Sequence, residues 1–215
     1  MDFDFSDEQE QLRDAVRKWI DKAYSFDERK HIVAKGGFSA DVYQALAELG
    51  LTGLYVQDAY GGMGMGPVEG MVVMEELGRG MLLEPLVHAW ITTAVLQGFA
   101  SEEVKQAWLP RIASGDTLVV LAQQEKTSRY RLETCQTTAS QSQGEWHLSG
   151  HKSLVAAADH ADAFLVPAMH QGQLAMYLVP RSAATLTSHT YHAQDGSRMG
   201  ELLLNNAAAV LVSLQ

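Results

Sequence analysis

Residues 50–66 read GLTGLYVQDAYGGMGMG. A helix is expected to close at Gly50, where a glycine relieves the left-handed turn that ends many helices. Leu54-Tyr55-Val56 reads as a short extended run. The glycine-rich elbow at Gly61–Gly66 then hands the chain to Pro67, a residue well suited to the first position of a further helix. A phosphate-loop reading of the glycines fails on spacing. Gly62 and Gly64 fit G-x-G-x-x-G, but Pro67 takes the third glycine slot and no parallel strand follows. The stretch is a structural elbow within a helical region.

Working outward, Ser6 and Gln9 form a capping-box pair, and Asp7 and Glu8 fall where the helix dipole favours them. Leu12, Val16, Trp19, Ile20 and Ala23 then recur at helical spacing. Ser39 opens a second helix through Val42, Leu46 and Leu49. Pro67 starts a third with Met71, Val72, Met74 and Leu77. Another begins near Pro85, and a last one at Ser101, where Pro110 is expected to kink or shorten it. Beyond Gly115-Asp116 the pattern changes to short apolar or alternating runs at 118–122, 134–139, 146–148, 163–166 and 174–179. Turn clusters at 143–145 and 171–172 separate them. The expectation is an α+β chain, with a helical domain over 1–115 and a small antiparallel β-barrel over 116–215.

The bulk numbers exclude several classes. The 215 residues carry a net charge of -10 and no cluster of lysines and arginines, which argues against nucleic acid as a partner. No apolar run approaches the roughly 20 residues of a membrane span, and the acidic start lacks the features of a signal peptide. The single cysteine, Cys135, rules out an internal disulfide and fits a reducing, cytoplasmic setting. Metal ligation is not expected. His147 and His151 lie four apart on a strand rather than a helix, and His189 and His192 point to opposite faces if extended. No serine sits in a nucleophile elbow.

The second half supplies the sharper signal. Residues 121–139 read LAQQEKTSRYRLETCQTTA, and residues 148–166 read LSGHKSLVAAADHADAFLV. With the glycine elbow and EELGRG at 75–80, these resemble the N-terminal and middle domains of the acyl-CoA dehydrogenase family. Glu125, Thr137-Thr138-Ala139, Gly150, Lys152, Ala161 and Asp162 fall in register with its motifs. The resemblance implies FAD as cofactor, an acyl-CoA substrate, and electron-transfer flavoprotein or a similar acceptor as redox partner. It implies flavin contacts at Leu121, Gln123, Gln124, Arg129, Tyr130, Leu154, Val155 and Ala156.

Several of these positions depart from the family pattern. Gln124 stands where a threonine contacts the flavin, and Arg129-Tyr130 where a Gly-Ser approaches its pyrophosphate. Leu154 replaces the aromatic that lies against the ring, and Ala156 the hydroxyl that reaches N5. The departures resemble those of the pimeloyl-CoA dehydrogenase small-subunit branch. That branch implies a homo- or hetero-oligomer with a larger homologous subunit. The family's C-terminal four-helix domain, which carries the catalytic base, is expected to be absent, so no catalytic residue is assigned. The implied activity is α,β-desaturation of an acyl-CoA thioester. The alternative is a non-catalytic small subunit that scaffolds a catalytic homologue.

Overall fold

The computed structural model describes residues 4–129, 131, 134–183 and 186–214. Among these residues six α-helices come first: α1 (Asp7–Ala23), α2 (Phe26–Ala34), α3 (Ala40–Glu48), α4 (Pro67–Arg79), α5 (Leu86–Phe99) and α6 (Glu102–Ala113). The local signals explain their starts. Ser6 and Gln9 close the capping box of α1, Ser39 and Ser101 cap α3 and α6, and Pro67 occupies the first turn of α4. Helix α2 is not visible in the periodicity, because of its nine residues only Ile32 is fully buried. Pro110 does not end α6, which runs on to Ala113. The proline lies in the last turn, so only one helical donor is lost while Leu109 and Ile112 stay buried.

The expected extended run at Leu54–Val56 is instead a chain of tight turns. The Leu54 and Val56 N–H groups donate back to the carbonyls of Leu51 and Gly53. Burial of Leu51, Leu54 and Val56 drives this winding, and the elbow returns to satisfy it through Met63 N–H to Gly53 O and Met65 N–H to Leu54 O. Gly62 has no freedom to be otherwise, since a Cβ there would collide with the Val56 carbonyl oxygen.

Seven strands follow among the described residues: β1 (Val119–Leu121), β2 (Thr138–Ser142), β3 (Glu145–Ala156), β4 (Ala163–His170), β5 (Gln173–Pro180), β6 (Leu186–His192) and β7 (Arg198–Leu214). β4, β2, β3, β7 and β5 close into a ring through the β4–β5 ladder. Most pairings are antiparallel, while β1 and β2 both lie parallel to β4 and, among the described residues, β6 pairs only with β7.

β7 is the longest strand and changes phase midway. Leu202 and Leu204 point into the barrel, then Asn206 adopts φ 56° and donates its N–H to Ser149 Oγ at 3.0 Å. Beyond this bulge the inward set becomes Ala207, Ala209 and Leu211, while Val212 packs outward.

Three apolar cores result. One unites α1, α3, α4 and α5 around Leu46, Leu54, Val73 and Trp90. A second fills the barrel around Leu148, Phe164 and Tyr177, with Phe38 and Tyr43 joining it from the helical half. The third glues the halves together, packing Ala89, Leu96, Leu109 and Ile112 of α5 and α6 against Val119, Leu165, Leu178 and Val212.

Candidate flavin and acyl site

The loop between β1 and β2 is pinned by one carboxylate. Glu125, almost fully buried, accepts from Lys152 Nζ at 2.7 Å and Thr137 Oγ1 at 2.6 Å. It also accepts from the backbone N–H groups of Gln136 and Thr137 at 2.7 and 3.0 Å. Burial alone would push this carboxyl up. The hydrogen bonds from Lys152, Thr137 and Gln136 outweigh it and hold the group at about 2. Lys152 is itself fully buried. Gly150 permits the close approach, for a Cβ there would strike Thr137.

With its root fixed, the loop turns tightly. The Glu125 N–H donates to Ser128 Oγ, whose hydroxyl donates to the Glu125 carbonyl. Arg129 follows in the left-handed region, at φ 48°. The turn brings Arg129 to one small cavity of about 20 Å³ shared with Gln123, Gln124, Ser128, Arg131 and Thr134. Both arginines are exposed, and neither has an ion pair among the described residues. Two unneutralised guanidinium groups at one loop suit a phosphate-bearing ligand.

Next to this loop, the Ser153 N–H donates to the Gln124 carbonyl at 2.8 Å, so the flank of Leu154 lies beside Gln124. Leu154 sits at φ 54° where the β3–β7 register slips, and is 56% exposed. The bulge turns an apolar side chain outward while Val155 drops into the barrel core with no exposure. The side chain of Val155 is therefore barrel packing. Ala156 borders a different cavity, of about 250 Å³, between the α4–α5 region and the β-barrel. It shares those walls with Met74, Met81, Glu84, His88 and Met199. Leu121 reaches this region through its backbone: its N–H donates to His88 Nδ1 at 3.1 Å. Burial lowers the His88 pKa, so the ring is neutral, accepts at Nδ1 and carries its proton on Nε2.

The eight residues singled out by resemblance thus divide. Gln123, Gln124 and Arg129 gather at the loop, Leu154 stands on the adjoining bulge, Val155 is barrel packing, Ala156 lines the larger cavity, and Leu121 is tied to its wall only through His88. Tyr130 lies outside the described residues. Arg131, Glu84 and His88 are not among the eight. Arg131 is legible in the sequence as a second basic residue two positions after Arg129. Glu84 is an acid inside the apolar run MLLEPL, an anomaly visible in the sequence alone. His88 carries no such signal. No group of three or more potential metal ligands occurs among the described residues, and no helix among them is long and apolar enough to cross a membrane.

A helical bundle packed on a closed β-barrel, with a basic loop and an apolar cavity on the barrel's flank, defines the class. Residues 6–116 match the acyl-CoA dehydrogenase N-terminal domain and residues 120–207 match the acyl-CoA dehydrogenase middle domain. The chain belongs to the acyl-CoA dehydrogenase family.

It is 28% identical over 186 residues to acyl-CoA dehydrogenase FadE12 of Mycobacterium tuberculosis, a match covering 83% of this chain and 48% of that protein. It is 27% identical to benzylmalonyl-CoA dehydrogenase of Aromatoleum aromaticum, covering 87% and 51%. The chain therefore spans about half the length of these relatives. Among solved structures, an acyl-CoA dehydrogenase from Geobacillus kaustophilus superposes with a TM-score of 0.90 at 21% identity, covering 99% of this chain and 60% of that one. The ChsE4–ChsE5 complex from Mycobacterium tuberculosis gives 0.88 at 22%, covering 99% and 59%. These structural likenesses speak to the fold alone.

Proposed function

We propose that this chain forms part of an FAD-dependent acyl-CoA dehydrogenase that desaturates the α,β bond of an acyl-CoA thioester. The observation that carries the reading is the juxtaposition of the Arg129–Arg131 loop, the outward-facing Leu154 and the cavity bordered by Ala156, on a chain of this family. The donor set suits FAD. Arg129 and Arg131 would pair with pyrophosphate, Gln124 would bond the ring edge, and Leu154 would pack against the ring face. FAD, when bound, supplies the acceptor for the hydride that leaves Cβ. The chain's own work is to bind, to orient the acyl group in the apolar cavity and to exclude water. The acceptor of the α-proton is proposed to come from outside these 215 residues, on the family's third domain or a larger homologous subunit.

A second reading has its own support. Leu154 and Ala156 lack the aromatic and the hydroxyl usual at their positions, which fits a small subunit that scaffolds a catalytic homologue. One structural neighbour is itself a complex, of ChsE4 with ChsE5. Electron-transfer flavoprotein or a similar acceptor is the proposed redox partner under the first reading. The division into domains is proposed to fall at 115/116.

One experiment separates the two. The native assembly is co-purified and weighed, its FAD content counted, and acyl-CoA turnover followed anaerobically with an artificial electron acceptor, for the assembly and for the isolated chain. The first reading expects FAD and turnover in an assembly where Arg129→Ala lowers both. FAD held only by a larger partner, with turnover indifferent to Arg129→Ala, establishes the scaffold. Turnover by the isolated chain would overturn the assignment of the base to another domain.

A further inference from the structure

His88 belongs to the first turn of α5, and its ring reaches across to the barrel, where Nδ1 accepts the Leu121 N–H at 3.1 Å. A backbone amide can only donate, so this bond fixes the tautomer. Nδ1 is the acceptor, and the ring proton sits on Nε2. That N–H has no acceptor among the described residues, and Nε2 is not sealed from water. A half-buried ring held at one nitrogen thus keeps a donor at the other.

His88 also lines the cavity of about 250 Å³ whose wall includes Ala156, and Nε2 is the nitrogen not tied to β1. That volume far exceeds the ~10–15 Å³ that one water requires. Phe38, Met74, Leu83, Leu86 and Met199 make much of the wall apolar. Its polar side chains are largely committed elsewhere. Ser197 donates to Asp195, and Arg198 directs Nε and Nη2 at Asp159 and Thr190. An unanswered N–H suits an alkyl chain poorly, since the chain would displace water from it and give nothing back. It suits a ligand that carries an oxygen at that depth.

We propose that His88 is a specificity-determining residue whose Nε2–H donates to a ketone oxygen on the acyl chain, beyond the reacting carbons. The preferred thioester is then an oxoacyl-CoA rather than a plain alkanoyl-CoA. This rests on the acyl-CoA reading above. A ketone accepts and donates nothing, so it answers the N–H without bringing an O–H that needs its own partner. A carboxylate is the poorer match, because Glu84 and Asp195 stand at the same walls. A site built to bond an oxygen rejects the analogue that lacks it.

The test is calorimetric titration of the native assembly with α,β-unsaturated decenoyl-CoA and with its monooxo isomers, the ketone moved carbon by carbon towards the chain end. These already desaturated chains bind without turning over. One isomer is expected to bind roughly tenfold tighter than decenoyl-CoA. Two variants separate this role from mere anchoring of Leu121. His88→Gln puts an N–H donor near the place of Nε2 and is expected to keep most of the preference. His88→Asn keeps an acceptor near the place of Nδ1 but loses the distal donor, and is expected to erase it. The infrared carbonyl stretch of that isomer, isotope-labelled at the keto carbon, is expected to fall on binding to the parent protein. A series in which no isomer surpasses decenoyl-CoA overturns the proposal while leaving the acyl-CoA reading intact. A preference that survives His88→Asn also overturns it. So does an unlowered carbonyl stretch in the parent protein, which decides the matter even where a variant fails to fold. Failure of decenoyl-CoA and every isomer to bind removes the acyl-CoA reading and this inference with it.

Discussion

Lys152 and Glu125 meet inside the wall of the β-barrel, Nζ to Oε1 at 2.7 Å, with both side chains withdrawn from water. The carboxylate also holds the backbone N–H groups of Gln136 and Thr137, so this pair ties β3 to both ends of the loop that carries Arg129.

Lys152→Met should therefore cost about 3–5 kcal/mol at pH 7, because it strands a buried carboxylate rather than merely removing a contact. Urea unfolding is the measurement. The double variant Lys152→Met with Glu125→Gln should recover part of the loss. If the double variant is less stable than Lys152→Met alone, the bonds from Thr137 and Gln136 matter more than the missing ammonium.

The same pair sets an acid limit. The Glu125 carboxyl lies at about 2 in the fold against an ordinary 4.5. Its stabilisation is complete above about pH 4.5 and disappears as pH falls toward 2, amounting to at most about 3 kcal/mol. Chemical denaturation from pH 6 to pH 2 should show this loss. A Glu125→Gln variant should have a flatter profile over the same interval.

Glu84 has the opposite sign. Its folded value, about 7, lies above 4.5, so its contribution is full below about pH 4.5 and is lost as pH rises through 7. Burial is what raises it, opposed by the N–H groups of Glu84 itself, Ser39 and Leu83 and by the Tyr24 hydroxyl, with Arg29 acting in turn on Tyr24. Glu84→Gln should gain about 1–3 kcal/mol relative to the parent at pH 8, and little at pH 5. Thermal melts at the two pH values provide the comparison, and an equal effect at both would show that the carboxyl is not strained.

Arg129→Ala and Arg131→Ala should each weaken FAD binding by roughly ten- to a hundredfold in the native assembly, the scale of one charge-assisted bond to phosphate. Fluorescence titration reads this directly, and the loss should shrink as salt is raised. Unchanged affinity in both variants would mark the pair as solvated surface charge.

Much of the molecule is legible in its residues, and the exceptions have causes. Capping signals at Ser6, Ser39 and Ser101 announce helices because side-chain oxygens satisfy exposed N–H groups locally, whatever the rest of the fold does. α2 is silent because a helix that buries one residue leaves no stripe to see. β7 is not among the apolar or alternating runs because its inward set changes phase at Asn206, where the ladder continues through a bulge. Leu54–Val56 looks extended because three apolar residues in a row satisfy either a strand or a buried turn, and only tertiary burial decides. At the site, Arg129 stands out as a charge in a glycine's place. The partnership of Leu121 with His88 joins residues 33 positions apart, and no local pattern encodes it.

Asn206 itself is open to test. At φ 56° a β-branched side chain is strained, so Asn206→Val should cost about 1–2 kcal/mol, whereas Asn206→Gly should stay within about 1 kcal/mol of the parent. Equilibrium unfolding of both variants is sufficient, and equal stabilities would mean that the bulge relaxes freely.

Because β7 lines the barrel with one face while Val212 on the other joins the seam with α5 and α6, the two halves of the chain are poor candidates for separate use. A barrel excised alone would present Leu165, Leu178 and Val212 to solvent, and a helical half alone would bare Ala89, Leu96 and Ile112. Anyone borrowing either half as an independent scaffold would have to repaint that shared seam with polar side chains first, or inherit a sticky surface.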